Sequence, residues 1–249
     1  MCNSTGTVFN LKAPAQDVKK SYGWTPESAA SIIDHTLLRP NATEEEILKV
    51  CEEAIKYSFW TVTVNPAHVA LCREKVKGSS VKVCSVVSFP FGLSKTTIKV
   101  REAQDALRDG AEEIDMVMNI GAEKSHDYDL VFQDARAVVR AAKKMDDRVM
   151  VKAIIETCYL TDEEKETACK VSAKAGVDFV KTSTGYGTGG ATVHDVALMR
   201  RVVGPKLGVK ASGGIKDAQS FIALTSAGAN RIGTSHGVDI VEEIGTLSG

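Results

Sequence analysis

Eight short β-rich runs, separated by longer segments of helical periodicity, alternate from Ser31 to the C-terminus, and this pattern limits the fold more than any other feature of the chain. The runs are Ile32–Leu38, Trp60–Val64, Val81–Ser88, Glu113–Met118, Val149–Ile155, Asp178–Thr182, Gly208–Ala211 and Arg231–Gly233. The segments between them are punctuated as helices. Thr43 to Glu46 and Thr161 to Glu164 have capping-box spacing, and Gly110, Gly176 and Gly228 each stand just past a helical run. A helical crossover returns the chain parallel to the strand it left, so a series of βα units predicts a parallel sheet covered by helices. Closing that sheet into a (β/α)8 TIM barrel is the economical solution. The competitor, an open doubly wound sheet, carries a glycine fingerprint at its first βα turn, and Ile33-Asp34-His35-Thr36-Leu37-Leu38 contains no glycine. At 249 residues the chain has the length of one barrel. Residues 25–249 are assigned to it, with Thr25–Ile33 as a short helix closing the barrel bottom, and residues 1–24 to a loosely packed leader.

Composition narrows the partners. Lys plus Arg number 31 against 32 Asp plus Glu, a formal net charge of −1, so the positive field that attracts a phosphate backbone is missing and no nucleic acid is expected. The longest charge-free apolar stretch, Val83 to Ser94, is broken by Ser88, Pro90 and Gly92 and falls short of the ~20 residues of a membrane helix. The first thirty residues hold no continuous apolar segment of a secretory signal. Six cysteines without a C-x-x-C pair read as reduced thiols, which points to the cytoplasm. Five histidines lack metal-ligand spacing, so neither a metal nor another cofactor is expected.

Charged residues inside otherwise apolar strands mark the chemistry, because barrel enzymes work where strands end and βα loops begin. Period-two alternation lets Asp115 in run four, Lys152 in run five, Lys181 in run six and Lys210 in run seven point into the barrel. Each lysine by itself could snorkel to water from a strand end. Three together force a choice: several ammonium groups in one low-dielectric space must be paired with a carboxylate, or one must lose its proton. A deprotonated lysine is an amine nucleophile, and a neighbouring cation promotes it. Carbonyl chemistry through an imine therefore ranks first, with the reacting lysine left open among the three.

Glycine-rich loops supply a second constellation. Ser183-Thr184-Gly185-Tyr186-Gly187-Thr188-Gly189-Gly190 follows run six, Ser212-Gly213-Gly214-Ile215 follows run seven, and Gly233-Thr234-Ser235-His236-Gly237 spans the end of run eight. Glycines let backbone N–H groups approach an anion, and barrels commonly bind phosphate at the loops after their last strands. Three such loops at consecutive strand ends predict a phosphate cup.

The segments Val180-Lys181-Thr182-Ser183-Thr184-Gly185, Val209-Lys210-Ala211-Ser212-Gly213-Gly214-Ile215, Glu113-Ile114-Asp115-Met116-Val117-Met118-Asn119 and Val151-Lys152-Ala153-Ile154-Ile155-Glu156-Thr157 together resemble the deoxyribose-phosphate aldolases. The resemblance runs from about Ile32 to Val238 and takes in Arg231-Ile232-Gly233-Thr234-Ser235 and Asn65-Pro66. It implies a metal-free, class I aldolase that reversibly splits 2-deoxy-D-ribose 5-phosphate into D-glyceraldehyde 3-phosphate and acetaldehyde. Carried over by motif, it makes Lys181 the Schiff-base lysine and Lys210 the cation that depresses the pKa of Lys181. Asp115 becomes the carboxylate that moves protons with Lys210 and an ordered water, and Lys152 lines the site with an electrostatic role. The phosphate would lie among Gly185, Gly213, Gly214, Gly233, Ser235 and His236, and a homodimer is the implied assembly.

Three positions depart from the family pattern. His236 stands where a second serine is common, Thr63 stands where many members have cysteine, and the chain ends Leu247-Ser248-Gly249 without the tyrosine that some members use. Two rivals remain at this point: an imine-forming barrel aldolase with a ketose phosphate donor, and a catalytically silent phosphosugar-binding protein on the same fold.

Overall fold

A computed structural model describes residues 23–248. The expected leader, residues 1–24, lies outside the described residues up to residue 22; Trp24, described, packs edge-on against Phe221 with ring centroids 5.1 Å apart. The eight strands are β1 (Ile33–Leu37), β2 (Thr61–Val64), β3 (Lys82–Val87), β4 (Glu113–Val117), β5 (Met150–Ile154), β6 (Phe179–Lys181), β7 (Gly208–Ser212) and β8 (Arg231–Thr234). Every pair is parallel, neighbours follow chain order, and β8 closes onto β1. Each strand ends within one residue of where the apolar pattern places it.

The helices are α1 (Pro26–Ala30), α2 (Glu44–Tyr57), α3 (Val69–Lys75), α4 (Thr96–Arg108), α5 (Ile120–Lys124), α6 (Tyr128–Met145), α7 (Asp162–Ala175), α8 (Val193–Val203), α9 (Ala218–Ser226) and α10 (Gly237–Ser248). Both expected capping boxes form: Thr43 accepts from the Glu46 N–H at the start of α2, Thr161 accepts from the Glu164 N–H at the start of α7, and each glutamate reaches back to its cap. Gly176 ends α7 in the left-handed region at φ +89°, a conformation that costs glycine no Cβ clash. The helix expected over Thr25–Ile33 is shorter. It stops at Ala30, because Ile33 is the first residue of β1 and pairs with Ile232. The short helix α5 was not foreseen; the Asn119 side chain nucleates it by accepting from the Ala122 N–H.

Alternation along the strands divides the molecule into two environments. Val62, Val83, Ile114, Val151, Val180, Val209 and Ile232 face outward and join the apolar core under the helices. The opposite face supplies the barrel interior, and there the buried residues include Asp34, Thr61, Thr63, Glu113, Asp115, Lys152, Lys181, Lys210 and Arg231. Burial between sheet and helices therefore holds the fold together, while the interior is given over to charge.

Candidate active site

Register assembles the interior. The pairings Lys181↔Lys210 and Lys210↔Arg231 put three cations side by side on β6, β7 and β8. Asp115↔Lys152 sets a carboxylate against a fourth cation across β4 and β5. Glu113 precedes Asp115 by two residues and so shares its face, and Asp34 enters from β1.

Asp115 is the hub. Its Oδ1 accepts from Lys152 Nζ at 2.7 Å, and its Oδ2 accepts from both Lys181 Nζ at 2.7 Å and Lys210 Nζ at 2.8 Å. Lys152 also pairs with Glu113 Oε2 at 2.6 Å, and Arg231 Nη1 joins Glu113 Oε2 at 3.2 Å to Asp34 Oδ1 at 3.0 Å. The second Asp34 oxygen pairs with Lys210. The chain of ion pairs Glu113–Lys152–Asp115–Lys210–Asp34–Arg231 thus closes on itself, with signs alternating at every step. Lys181 hangs from it through Asp115 alone.

That geometry ranks the lysines. Burial acts against all three ammonium groups, but two carboxylates outweigh it at Lys152 (Asp115 and Glu113) and at Lys210 (Asp115 and Asp34), so both are held above the ordinary lysine range. At Lys181 burial wins; one carboxylate opposes it, the Lys210 charge reinforces it, and the amine is pushed below its ordinary range. Burial pushes the Asp115 carboxyl up, yet the ammonium groups of Lys152, Lys181 and Lys210 together hold it well below the usual carboxylate range. Burial and the nearby Asp115 charge push the Cys84 thiol up to about 12, so Cys84, 3.3 Å from Asp115 Oδ1, remains protonated.

Above Lys181 opens a cavity of about 350 Å³. Of the three site lysines only Lys181 lines it, and its side chain retains 3% exposure against 0% for Lys152 and Lys210. Gly185, Gly213, Gly214, Gly233, Ser235 and His236 line the same cavity, so every expected phosphate residue is gathered there. Lys152 is not; its ammonium lies beneath, tied to Asp115 and Glu113. A Cβ at Gly233 would come within 2.9 Å of Lys210 Cε, and Gly214 holds φ +78° facing open space, so both glycines are dictated by backbone and packing. The loops are tied together: Ser212 Oγ donates to the Ser183 carbonyl at 2.6 Å, and Thr234 Oγ1 donates to the Ile215 carbonyl at 2.7 Å while accepting from the His236 N–H at 2.9 Å. The His236 ring keeps Nδ1 2.8 Å from Asp239 Oδ2. Thr63, the second departure, is buried with its hydroxyl 3.1 Å from that of Thr61.

Asp34, Glu113 and Arg231 were missed as site residues. The signal was available: each sits in a strand at an even spacing from an inward-facing residue, Glu113 two before Asp115 and Arg231 two before Gly233. At the opposite end from the cavity, the Arg231 guanidinium stacks between Trp60 and Phe179, 4.6 and 5.2 Å from their ring centroids, and Trp60 Nε1 donates to Glu113 Oε1 at 2.7 Å.

Relatives carry the same architecture. The deoxyribose-phosphate aldolases of Thermococcus gammatolerans and Caldanaerobacter subterraneus subsp. tengcongensis are each 58% identical to this chain, over 215 and 214 residues, which is 86% of this chain and 95% and 92% of theirs. The tetrameric deoxyribose phosphate aldolase structure from Aeropyrum pernix superposes with a TM-score of 0.84 at 34% identity, covering 94% of this chain and all of that one. The family profile described as DeoC/LacD family aldolase matches residues 28–248, and with these likenesses it establishes that the chain belongs to the DeoC/LacD aldolase family.

Proposed function

We propose that this aldolase reversibly cleaves 2-deoxy-D-ribose 5-phosphate to D-glyceraldehyde 3-phosphate and acetaldehyde through an imine on Lys181. The carrying observation is that Lys181 alone of the three lysines both lines the cavity and is held by a single carboxylate. The neutral amine attacks C1 of the open-chain sugar, and loss of water gives a protonated imine. Two carbons leave as acetaldehyde, so the bond that breaks is C2–C3. Its electron pair flows into the iminium as the C3 hydroxyl loses its proton, releasing glyceraldehyde 3-phosphate and leaving an enamine on Lys181. Protonation at C2 and hydrolysis of the imine then free acetaldehyde.

Each transfer needs an acid or base near Lys181. Asp115, held ionised, and Lys210, held protonated, meet at one oxygen and supply a carboxylate acceptor and an ammonium donor, with a water completing the path to substrate. Positioned proton transfer of this kind is worth about 10²–10⁴-fold. Lys152 stays charged and keeps Asp115 ionised. The phosphate lies at the other end of the cavity, met by backbone N–H groups of Gly185, Gly213, Gly214 and Gly233, by the Ser235 hydroxyl and by the His236 ring, with the N-terminus of α10 beside them.

Borohydride with acetaldehyde, followed by peptide mass mapping, tests the assignment. A stable two-carbon adduct on Lys181 is expected; an adduct only on Lys152 or Lys210, or none, overturns it. A cytoplasmic location agrees with the unpaired cysteines of the described residues and with the lack of a membrane-spanning helix among them. A homodimer is the assembly taken from the family resemblance, and light scattering separates it from a tetramer.

A further inference from the structure

We infer that the closed loop Glu113–Lys152–Asp115–Lys210–Asp34–Arg231 is a charge-neutral device that leaves Lys181 as the odd cation, and that Arg231 and Glu113 are positioning residues setting the pH at which Lys181 becomes a nucleophile. The inference rests on Lys181 being the imine-forming residue. Neither Arg231 nor Glu113 lines the cavity, so neither acts by touching substrate.

Charge balance among buried side chains decides which group gives up its proton. Buried charges are tolerated when paired, and an uncompensated one is expelled or neutralised. The loop holds three cations and three carboxylates, and every member has partners of opposite sign on both sides. It is complete without Lys181. A protonated Lys181 would bring the interior to one net positive charge, and losing that proton restores neutrality. Arg231 suits its place because a guanidinium does not deprotonate in proteins, so it is a fixed charge that cannot take over the role of Lys181. Stacking between Trp60 and Phe179 fixes its position as well.

Other ionisable groups facing Lys181 do not alter the sign. Lys210 comes from β7, Asp115 from β4, and Cys84, from β3, is a neutral thiol. From β5 and its end come Lys152 and Glu156; Glu156 accepts from the Thr184 N–H at 3.1 Å and from the Thr184 hydroxyl. Cys84 and Glu156 stay the same in all the variants below.

The test is the pH dependence of borohydride trapping of acetaldehyde on Lys181, read beside kcat/KM for deoxyribose 5-phosphate cleavage, with near-UV circular dichroism confirming native packing. In Arg231→Met the loop is left with an excess negative charge that Lys181 must balance. The acid limb should rise by about one pH unit or more, and trapping at pH 7 should slow by about tenfold. Adding Glu113→Gln to Arg231→Met makes the loop neutral again, and the limb should return to its wild-type position. Glu113→Gln alone, which preserves shape, should lower the limb and decides the matter if Arg231→Met does not fold. An unmoved limb in Arg231→Met, no return in the double variant, or a limb that stays or rises in Glu113→Gln overturns the inference. An adduct that maps away from Lys181 in the wild type overturns the imine assignment instead.

Discussion

Lys181 and Lys210 donate to the same oxygen of Asp115, at 2.7 and 2.8 Å, from adjacent strands whose register sets them side by side. Two ammonium groups on one oxygen compete for it. Lys210 has a second carboxylate, Asp34, and Lys181 has none among the described residues. Lys210 therefore holds its proton the more firmly of the two, which suits the proposed division between an acid at Lys210 and a nucleophile at Lys181.

Replacing Lys210 with leucine removes the cation that helps to drive the proton off Lys181 and leaves Asp34 and Asp115 under-compensated. The pH at which free amine appears should move up, and the maximal rate should fall by about 10²-fold or more as the proton path loses a member. The pH profile of kcat/KM checks both. An unchanged profile and rate would exclude this role.

Asp115→Asn takes the shared negative charge from three ammonium groups and turns one accepting oxygen into an N–H donor, and breaking a buried pair costs about 3–5 kcal/mol. Urea unfolding at pH 7 should report a loss of that size. The folded Asp115 and Asp34 carboxyls lie below their unfolded values, so the stability they contribute is fully present above about pH 4 and is lost as pH falls through the folded values. The acid-side slope of stability should be shallower in Asp115→Asn than in the wild type.

The His236 ring belongs to the cavity lining and has Nδ1 beside Asp239, so Nε2 is the ring nitrogen left for a phosphate. His236→Ala should raise KM for deoxyribose 5-phosphate by about 2–10-fold, the worth of one hydrogen bond, and leave kcat nearly unchanged. Turnover of unphosphorylated deoxyribose should not respond. Equal KM values for the variant and the wild type would place the ring outside phosphate binding.

An imine supplies the electron sink, so EDTA should leave the cleavage rate unchanged in a coupled assay. Asp162, His194 and Asp195 form a group of metal-capable side chains among the described residues, but Lys165 already lies 3.1 Å from Asp162 and 2.6 Å from Asp195. Activity lost to EDTA and restored by a divalent cation would contradict the imine route.

Strand alternation made the barrel and the inward positions of Asp115, Lys152, Lys181 and Lys210 readable in the sequence, because period two and the punctuated helices are local signals. The ranking of the lysines was not readable. It depends on which carboxylates reach each one, and the bond from Asp34 to Lys210 and that from Arg231 to Glu113 join residues far apart in the chain. Arg231 and Glu113 looked like ordinary strand starts until register brought them together. The helix at Thr25–Ile33 was overextended because its last apolar residues suit a strand equally well, and pairing with β8 decided the matter.

The stacked layer of Trp60, Arg231 and Phe179 lies at the end of the barrel away from the cavity, and the cavity over Lys181 is lined by the loops at the other end. On the proposed reaction, that cavity is the route by which the sugar enters and both fragments leave. With the imine on Lys181 as proposed, the two-carbon piece stays bonded there while the phosphorylated piece is free to go, so departure should be sequential, with glyceraldehyde 3-phosphate first and acetaldehyde last. Product-inhibition kinetics then acquire a direction: acetaldehyde competes with deoxyribose 5-phosphate for the empty enzyme, and glyceraldehyde 3-phosphate meets an enzyme already carrying two carbons.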